Sequence, residues 1–173
     1  MRFLGIVLLS IAAAVCYGIV HDQITARVCV EYFTIGHPPV FDTENPTLLG
    51  IGWGIIATWW VGLLLGVPLA IVARFGSRPK RSVGSLVRPV LWLLGITGAC
   101  AAVAGFLGWL LGVSGAVYLV GPLAEELPAD RHMPFLADLW VHSASYLVGA
   151  VGGIVVIILV WRSRGRAAAH RVT

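Results

Sequence analysis

Imidazole and carboxylate side chains recur in two regions of this 173-residue chain, and together they are typical ligands of transition metal ions. The candidate ligands are His21, Asp22, Glu31, His37, Asp138 and His142. Asp138 and His142 are four residues apart, so a helix would place both on one face. Because catalytic zinc sites use three protein ligands and keep one open position, this set is large enough for such a site.

We predict that the three histidines of this set bind one ion of Zn, Fe, Mn or Cu. Its three carboxylates would bind the same ion or orient the imidazoles. No diagnostic spacing such as H-E-x-x-H is present, so a structural polar network or a contact with a partner is the alternative interpretation. The sequence leaves open whether the metal would activate water or bind an oxidant.

Other chemistry has weaker support. Ser143 or Ser145 could join His142 and Asp138 in a hydrolytic triad, but no G-x-S-x-G turn is present. Cys29 is either a small packed side chain or a soft ligand. Neither the G-x-x-x-x-G-K-[ST] loop nor the G-x-G-x-x-G fingerprint occurs, which argues against nucleotide binding. No basic and aromatic pattern suited to nucleic acid is present either.

The segments that carry these residues are apolar enough for a membrane protein. The chain is 58% hydrophobic and 12% charged, whereas about a quarter of the residues in soluble domains are charged. Because about 20 mostly apolar residues cross a bilayer as a helix, we predict an all-α integral membrane fold, a four-helix bundle in one domain over residues 1–173. The predicted spans are residues 3–20, 48–72, 90–113 and 139–161.

Outer loops 21–47 and 114–138 are expected to form a small extracytoplasmic cap, opposite an inner loop at residues 74–88 and a tail at residues 162–173. Pro68 is expected to kink the second span. The third apolar run is too long for one span, and we expect a break near Gly112 to Gly115. The polar residues at the end of span 1 and the start of span 4 should lie at a comparable depth, which is compatible with one shared site, but the sequence leaves open whether the two clusters meet.

Charge predicts the orientation. Ten of the twelve Lys and Arg residues lie on one side of the spans, and all eight acidic residues lie on the other. Because short loops rich in Lys and Arg stay in the cytoplasm, both termini are predicted to be cytoplasmic in a multi-pass protein of the cell (inner) membrane. The candidate ligands would then face the extracytoplasmic side.

The N-terminus allows a second interpretation. Arg2, an apolar run and three alanines are also typical of a secretory signal peptide, whose cleavage would leave three spans. The run over residues 3–20 is longer than the usual apolar region of about 7–15 residues, which favours a retained first helix.

An unusual segment follows the first span. Residues 21–38 read H-D-Q-x-x-x-R-x-C-x-E-Y-F-x-x-G-H-P. As a helix, the segment aligns Gln23, Arg27 and Glu31 on one face, whereas as a strand its polar residues alternate. We favour a helical continuation of span 1 that breaks by residues 36–38, with an Arg27–Glu31 ion pair. The segment resembles one in uncharacterised bacterial multi-span membrane proteins, and the resemblance implies only a signature of that group.

Glycines at four-residue spacing let helix backbones approach closely. The pairs are Gly50/Gly54, Gly62/Gly66, Gly108/Gly112 and Gly149/Gly153. They either pack within the bundle or form an interface in a homo-oligomer or with a membrane-protein partner. The functional alternatives to a metal site are therefore a non-catalytic accessory or assembly subunit and, third, a small transporter or channel. A transport path lacks support because the spans contain no ionisable residue at mid-depth.

Overall fold

The computed structural model describes residues 1–169, and side chains as far as Gly165. His170 and Arg171, which belong to the predicted tail, lie outside this range. Within it the chain is helical and contains no strand. The helices are α1 (Arg2–Val28), α2 (Glu31–Thr34), α3 (Pro46–Ile56), α4 (Trp59–Arg74), α5 (Gly84–Val113), α6 (Pro122–Glu126) and α7 (His132–Ala169), with a single 3-10 turn at Ala129–Arg131 before α7.

Four stretches are long and apolar enough to cross a bilayer, which confirms the all-α class and the predicted number of such segments. They are Arg2–Val28, Pro46–Arg74, Gly84–Val113 and Ala129–Gly165. Each begins earlier or ends later than predicted, because polar residues at the ends of the apolar runs continue the helices. The first stretch, for example, carries His21 and Asp22 inside α1 rather than in a loop.

The two ends of the bundle differ in charge. We call one the acidic end: it contains the C-terminal parts of α1 and α5, the N-terminal parts of α3 and α7, and the chain between them. We call the opposite one the basic end. Every Asp and Glu of the chain lies at the acidic end.

The second apolar stretch is broken in its middle. α3 starts at an Asn45 cap whose Oδ1 accepts from the backbone N–H groups of Thr47 and Leu48, with Pro46 in the first turn. The helix stops at Ala57, and the hydroxyl of Thr58 donates back to Gly54 O. Such back-bonding and nearby glycine bend helices. The break thus lies at residues 57–58, whereas α4 continues through Pro68, the predicted kink.

The third stretch ends where predicted. α5 stops at Val113, and Gly115 adopts a φ of +72°, which an L side chain rarely accepts. The N–H of Ala116 then returns to Leu111 O at 3.0 Å and satisfies a carbonyl that the helix end leaves free.

Close backbone approach joins the helices in pairs. α1 packs mainly against α3 and α4, and α5 packs mainly against α7. A Cβ atom built at Gly54 would lie 2.6 Å from Ile19 Cα, and one built at Gly108 would lie 2.6 Å from the Trp140 ring. These glycines therefore pack against the chain's own helices, which is one of the two arrangements considered from the sequence.

A buried arginine closes the basic end. The Arg164 side chain on α7 is 2% exposed. Its guanidinium donates to Pro79 O at 2.7 Å, to Arg78 O at 2.8 Å and to Phe75 O at 3.0 Å, and it also donates to Val72 O. It therefore satisfies the carbonyl groups that the end of α4 and the following turn leave free.

Replacing Arg164 with Ala is expected to destabilise the fold by roughly 3 kcal/mol, because several buried carbonyls lose a charged donor. Thermal unfolding in detergent should then occur about 5–10 °C lower. Arg162→Ala is the matched control, since Arg162 is exposed and belongs to the same turn. Arg164→Lys should not restore stability, because an ammonium group cannot reproduce the planar fork. Equal melting temperatures for the two Ala variants would contradict this role.

Candidate functional site

Two helices bring two imidazoles to one carboxylate near the acidic end. His21 and Asp22 lie on α1, and His142 lies on α7. Asp22 Oδ1 is 2.9 Å from His21 Nδ1 and 3.3 Å from His142 Nε2. The three side chains are buried, with 9%, 7% and 12% of their surfaces exposed in the order His21, Asp22, His142. The polar residues of the first and last spans therefore meet, which the sequence had left open.

Hydrogen bonds define which nitrogen of each ring carries a proton. His142 Nδ1 is 2.8 Å from the carbonyl oxygen of Asp138, so this nitrogen donates. His21 Nδ1 donates in the same way to Asp22 Oδ1. In the neutral rings, Nε2 then carries a lone pair and no hydrogen. Nε2 of His21 and Nε2 of His142 are both buried without a hydrogen-bond partner.

The contact between His142 and Asp22 suits a cation. A lone pair and a carboxylate oxygen repel each other unless a positive charge lies between them, and this 3.3 Å contact is not aligned as a hydrogen bond. Two ligands about 2.0–2.1 Å from a tetrahedral zinc ion lie about 3.3 Å apart. Ligand atoms of His21, Asp22 and His142 all lie within 4.8 Å of one another.

The other three predicted ligands lie outside this group and have their own contacts. His37 Nδ1 donates to Tyr32 O at 2.7 Å, and its ring lies 4.7 Å from the Trp53 ring. Glu31 accepts two hydrogen bonds from Arg131. Asp138 orients His142 through its backbone carbonyl, and its own carboxyl is buried, with Oδ2 unpartnered among the described residues.

Aromatic rings enclose the site. Tyr32 of α2 stacks on the His142 ring with centroids 4.3 Å apart, and the His21 ring meets His142 edge-on at 4.5 Å. One turn deeper, the Tyr17 hydroxyl lies 2.9 Å from Ser145 Oγ. Sequence reasoning did not include Tyr17 or Tyr32 in the site. Tyr17 could have been found from its position four residues before His21, on the same helical face.

An ion pair ties the two halves of the acidic end together. Arg131 Nε and Nη2 donate to the two carboxylate oxygens of Glu31 at 2.9 and 2.8 Å, which is a bidentate pair. The expected Arg27–Glu31 pair is wrong: Arg27 instead donates to Gln23 and to Thr47 Oγ1. Since α1 ends at Val28, Glu31 belongs to α2 and no longer lies one turn from Arg27.

Cys29 is held as a thiol beside this pair. Its Sγ donates to Glu31 Oε2 at 3.3 Å, and the side chain is fully buried. Burial and this hydrogen bond raise the pKa of Cys29 to about 12. Burial alone would raise the pKa of Glu31, but hydrogen bonds from Arg131, from its own backbone and from Cys29 lower it below its ordinary value. Cys29 is therefore a packed donor, which removes the argument for a thiolate ligand.

The comparisons with known proteins add no analogue of this site. No protein-family model matches the chain, and no curated protein or solved structure matches it either. The argument for function therefore depends on the grouping of His21, Asp22 and His142 and on their surroundings.

Native protein at pH 8 is expected to leave Cys29 unmodified by iodoacetamide, because on the order of one thiol in ten thousand is ionised when the pKa is about 12. Mass spectrometry of digested protein measures the modified fraction. Glu31→Gln should speed modification, since it removes the negative charge beside the thiol and leaves only a neutral acceptor. Arg131→Gln breaks the same ion pair but keeps that carboxylate, and should speed modification less. Rapid modification of the unaltered chain would contradict this assignment.

Proposed function

We propose that this chain is a polytopic inner-membrane protein that binds one transition metal ion through His21, Asp22 and His142. The observation that carries the proposal is the buried, unpartnered Nε2 of His142, which lies 3.3 Å from Asp22 Oδ1, with His21 Nδ1 2.9 Å from the same oxygen. Metal-binding histidines commonly donate their other ring N–H to a carbonyl or carboxylate, which orients the ring. His142 donates in that way to Asp138 O, and the ion would take the place of the proton between His21 Nδ1 and Asp22.

The donor set narrows the choice of ion. Two imidazoles and one carboxylate occur in catalytic zinc sites and in non-haem iron(II) sites, both of which keep positions open. Zn and Fe are therefore preferred over Mn and Cu within the set predicted from the sequence. The open position would face the aromatic and apolar surroundings of the site, which exclude water and strengthen electrostatic interactions.

The metal content of protein purified in detergent without chelator tests the proposal. We expect about one ion of Zn or Fe per chain by inductively coupled plasma mass spectrometry, and its loss in His21→Ala and His142→Ala. Removing a direct ligand should weaken binding at least about 100-fold, because even residues that only support a ligand contribute about 10- to 100-fold. Adding the ion back should raise the melting temperature of the unaltered chain by roughly 5–10 °C and leave His142→Ala unchanged.

Two further histidine variants sharpen this test. His132→Ala is the matched control, since His132 contacts Leu127 O and lies outside the group. His37→Ala separates the three-residue site from the six ligands predicted from the sequence, and we expect it to keep the ion. Absence of metal from the unaltered chain, or equal loss in His132→Ala, would overturn the proposal.

The same proposal places the acidic end outside the cytoplasm. Its support is the distribution of charge: basic side chains at the end where α4 stops and α5 begins, and acids at the other. The metal site then lies near the extracytoplasmic surface, about one to two turns inside α1 and within α7.

Cysteine labelling of intact cells tests the orientation. In a chain with its native cysteines replaced by Ala, Glu44→Cys should react with a membrane-impermeant maleimide. Ser77→Cys, which is equally exposed at the basic end, should react only after the membrane is permeabilised. The reverse labelling pattern would overturn the proposed orientation while leaving the metal proposal intact.

The accessory-subunit and transporter alternatives have less support. Gly54 and Gly108 pack against α1 and α7 of the same chain, so these two glycines are not free to form an interface with another protein. A glycine-mediated interface with a homo-oligomer or a membrane-protein partner stays a prediction. Among the described residues, no Asp, Glu, His, Lys or Arg lies between the site and the basic end to support a transport path.

A further inference from the structure

A cavity of about 150 Å³ lies between the helix pairs, and the metal-site residues His21, Asp22 and His142 line its acidic end. Its wall continues along α7 to Val156 and Ile157. His142 and Ile157 are about 22 Å apart along the helix at about 1.5 Å per residue. Since one water needs about 10–15 Å³ by this measure, the cavity holds roughly ten to fifteen water-sized atoms. A volume this small over such a length describes a narrow slot.

The charged residues in the wall indicate which ligand charge the slot can bind. Among the residues with described side chains, no Lys or Arg lines the slot, and Asp22 is its one acid. Away from the metal site, an anionic head such as a phosphate or a fatty-acid carboxylate would therefore meet no compensating cation in a desolvated space. The remaining wall is mostly aliphatic and aromatic, so the slot favours an uncharged, largely apolar ligand.

The hydroxyl of Thr97 is a buried polar group in the wall, outside the metal site, that lacks a hydrogen-bond partner in the described part of the chain. Among the described residues, four buried polar side-chain atoms have no hydrogen-bond partner, and three of them line this cavity: His21 Nε2, His142 Nε2 and Thr97 Oγ1. The two histidine atoms belong to residues of the proposed metal site, whereas Thr97 does not. Thr97 is 3% exposed and keeps an unpaired hydroxyl, which is costly in an apolar interior. A ligand oxygen at this depth would satisfy it.

The wall near the metal site is rich in rings. Tyr17, Tyr32, Phe33 and Trp53 all line the cavity. Tyr17 lies beside the helix turn that carries Thr97, since a Cβ built at Gly98 would be 3.7 Å from its ring. Planar rings favour offset or edge-to-face contacts with other rings. A flat ring that carries oxygen atoms therefore suits this end of the slot, and an apolar chain suits the rest.

We propose that the slot binds a quinone-type membrane lipid, an uncharged ring with two oxygens on a long apolar chain, with one oxygen hydrogen-bonded to Thr97. Thr97 can donate to a quinone oxygen or accept from a quinol hydroxyl. The inference extends the proposed metal site by naming the class of molecule that reaches it, but its evidence is the cavity and Thr97, which do not depend on the metal.

Three small molecules that carry a similar ten-carbon apolar chain but different head groups test which head group the slot binds. Decylbenzoquinone, decylbenzene and decanoate are titrated into detergent-solubilised protein, with binding followed by tryptophan fluorescence and stoichiometry by extraction and chromatography. One decylbenzoquinone per chain is expected, bound about three- to tenfold more tightly than decylbenzene because of one hydrogen bond. In metal-free protein, decanoate should bind more weakly than either, because the wall offers its carboxylate no cation. Equal affinities for the three probes, or retention of phospholipid alone, would overturn the proposal.

Two glycines offer a matched pair of variants. A Cβ at either Gly149 or Gly95 would meet nothing within 4 Å, but Gly149 lines the slot and Gly95 does not. Gly149→Leu should therefore fill the slot and weaken quinone binding at least about tenfold, while Gly95→Leu leaves it unchanged. Unchanged binding in Gly149→Leu would overturn the proposal.

Thr97→Val keeps the shape of the side chain and removes its hydroxyl. It should weaken decylbenzoquinone binding about three- to tenfold and leave decylbenzene unaffected. This variant keeps the proposal testable if Gly149→Leu does not fold. Metal content is measured on the same samples. In the unaltered chain, absence of quinone binding with the ion present overturns the slot proposal alone, whereas quinone binding without the ion overturns the metal proposal alone.

Discussion

A buried carboxylate in an apolar helix bundle needs polar partners within the protein, and Asp22 finds them on two helices. Its oxygen meets an imidazole from its own helix and another from α7. That contact sets the register of α1 against α7, because sliding either helix by one turn would leave a charge without partners. The Tyr17–Ser145 hydrogen bond lies one turn deeper in the same register.

The two ends of the bundle satisfy and cover their buried polar groups in different ways. At the basic end, Arg164 satisfies carbonyls of the α4 terminus through a single side chain. At the acidic end, short helices and loops fold over the bundle, with Tyr32, Phe33 and Phe135 in a common apolar cluster. The bidentate Glu31–Arg131 pair holds this cover to the start of α7.

Features that depend on local sequence were predictable, and those that depend on distant contacts were not. The apolar runs predicted four long helices, and the glycines at 112–115 predicted where α5 ends. Arg131 lies 100 residues from Glu31, so no local spacing could identify it as the partner in place of Arg27. Pro68 suggested a kink, yet the break lies at Thr58, where a hydroxyl competes for a helix carbonyl. His37 matched the residue type of a ligand, but its ring nitrogen binds the Tyr32 carbonyl.

The stacking of Tyr32 on His142 has a kinetic consequence. Tyr32 covers His142 and is the next residue after Glu31, whose ion pair with Arg131 holds this short helix in place. The proposed ion, arriving from water at the acidic end, would reach His142 past Tyr32 only when this short helix detaches locally. Its exchange would then be limited by that opening rather than by diffusion, which would give the bound ion a long residence time. Loading would be fastest during folding, before the cover closes.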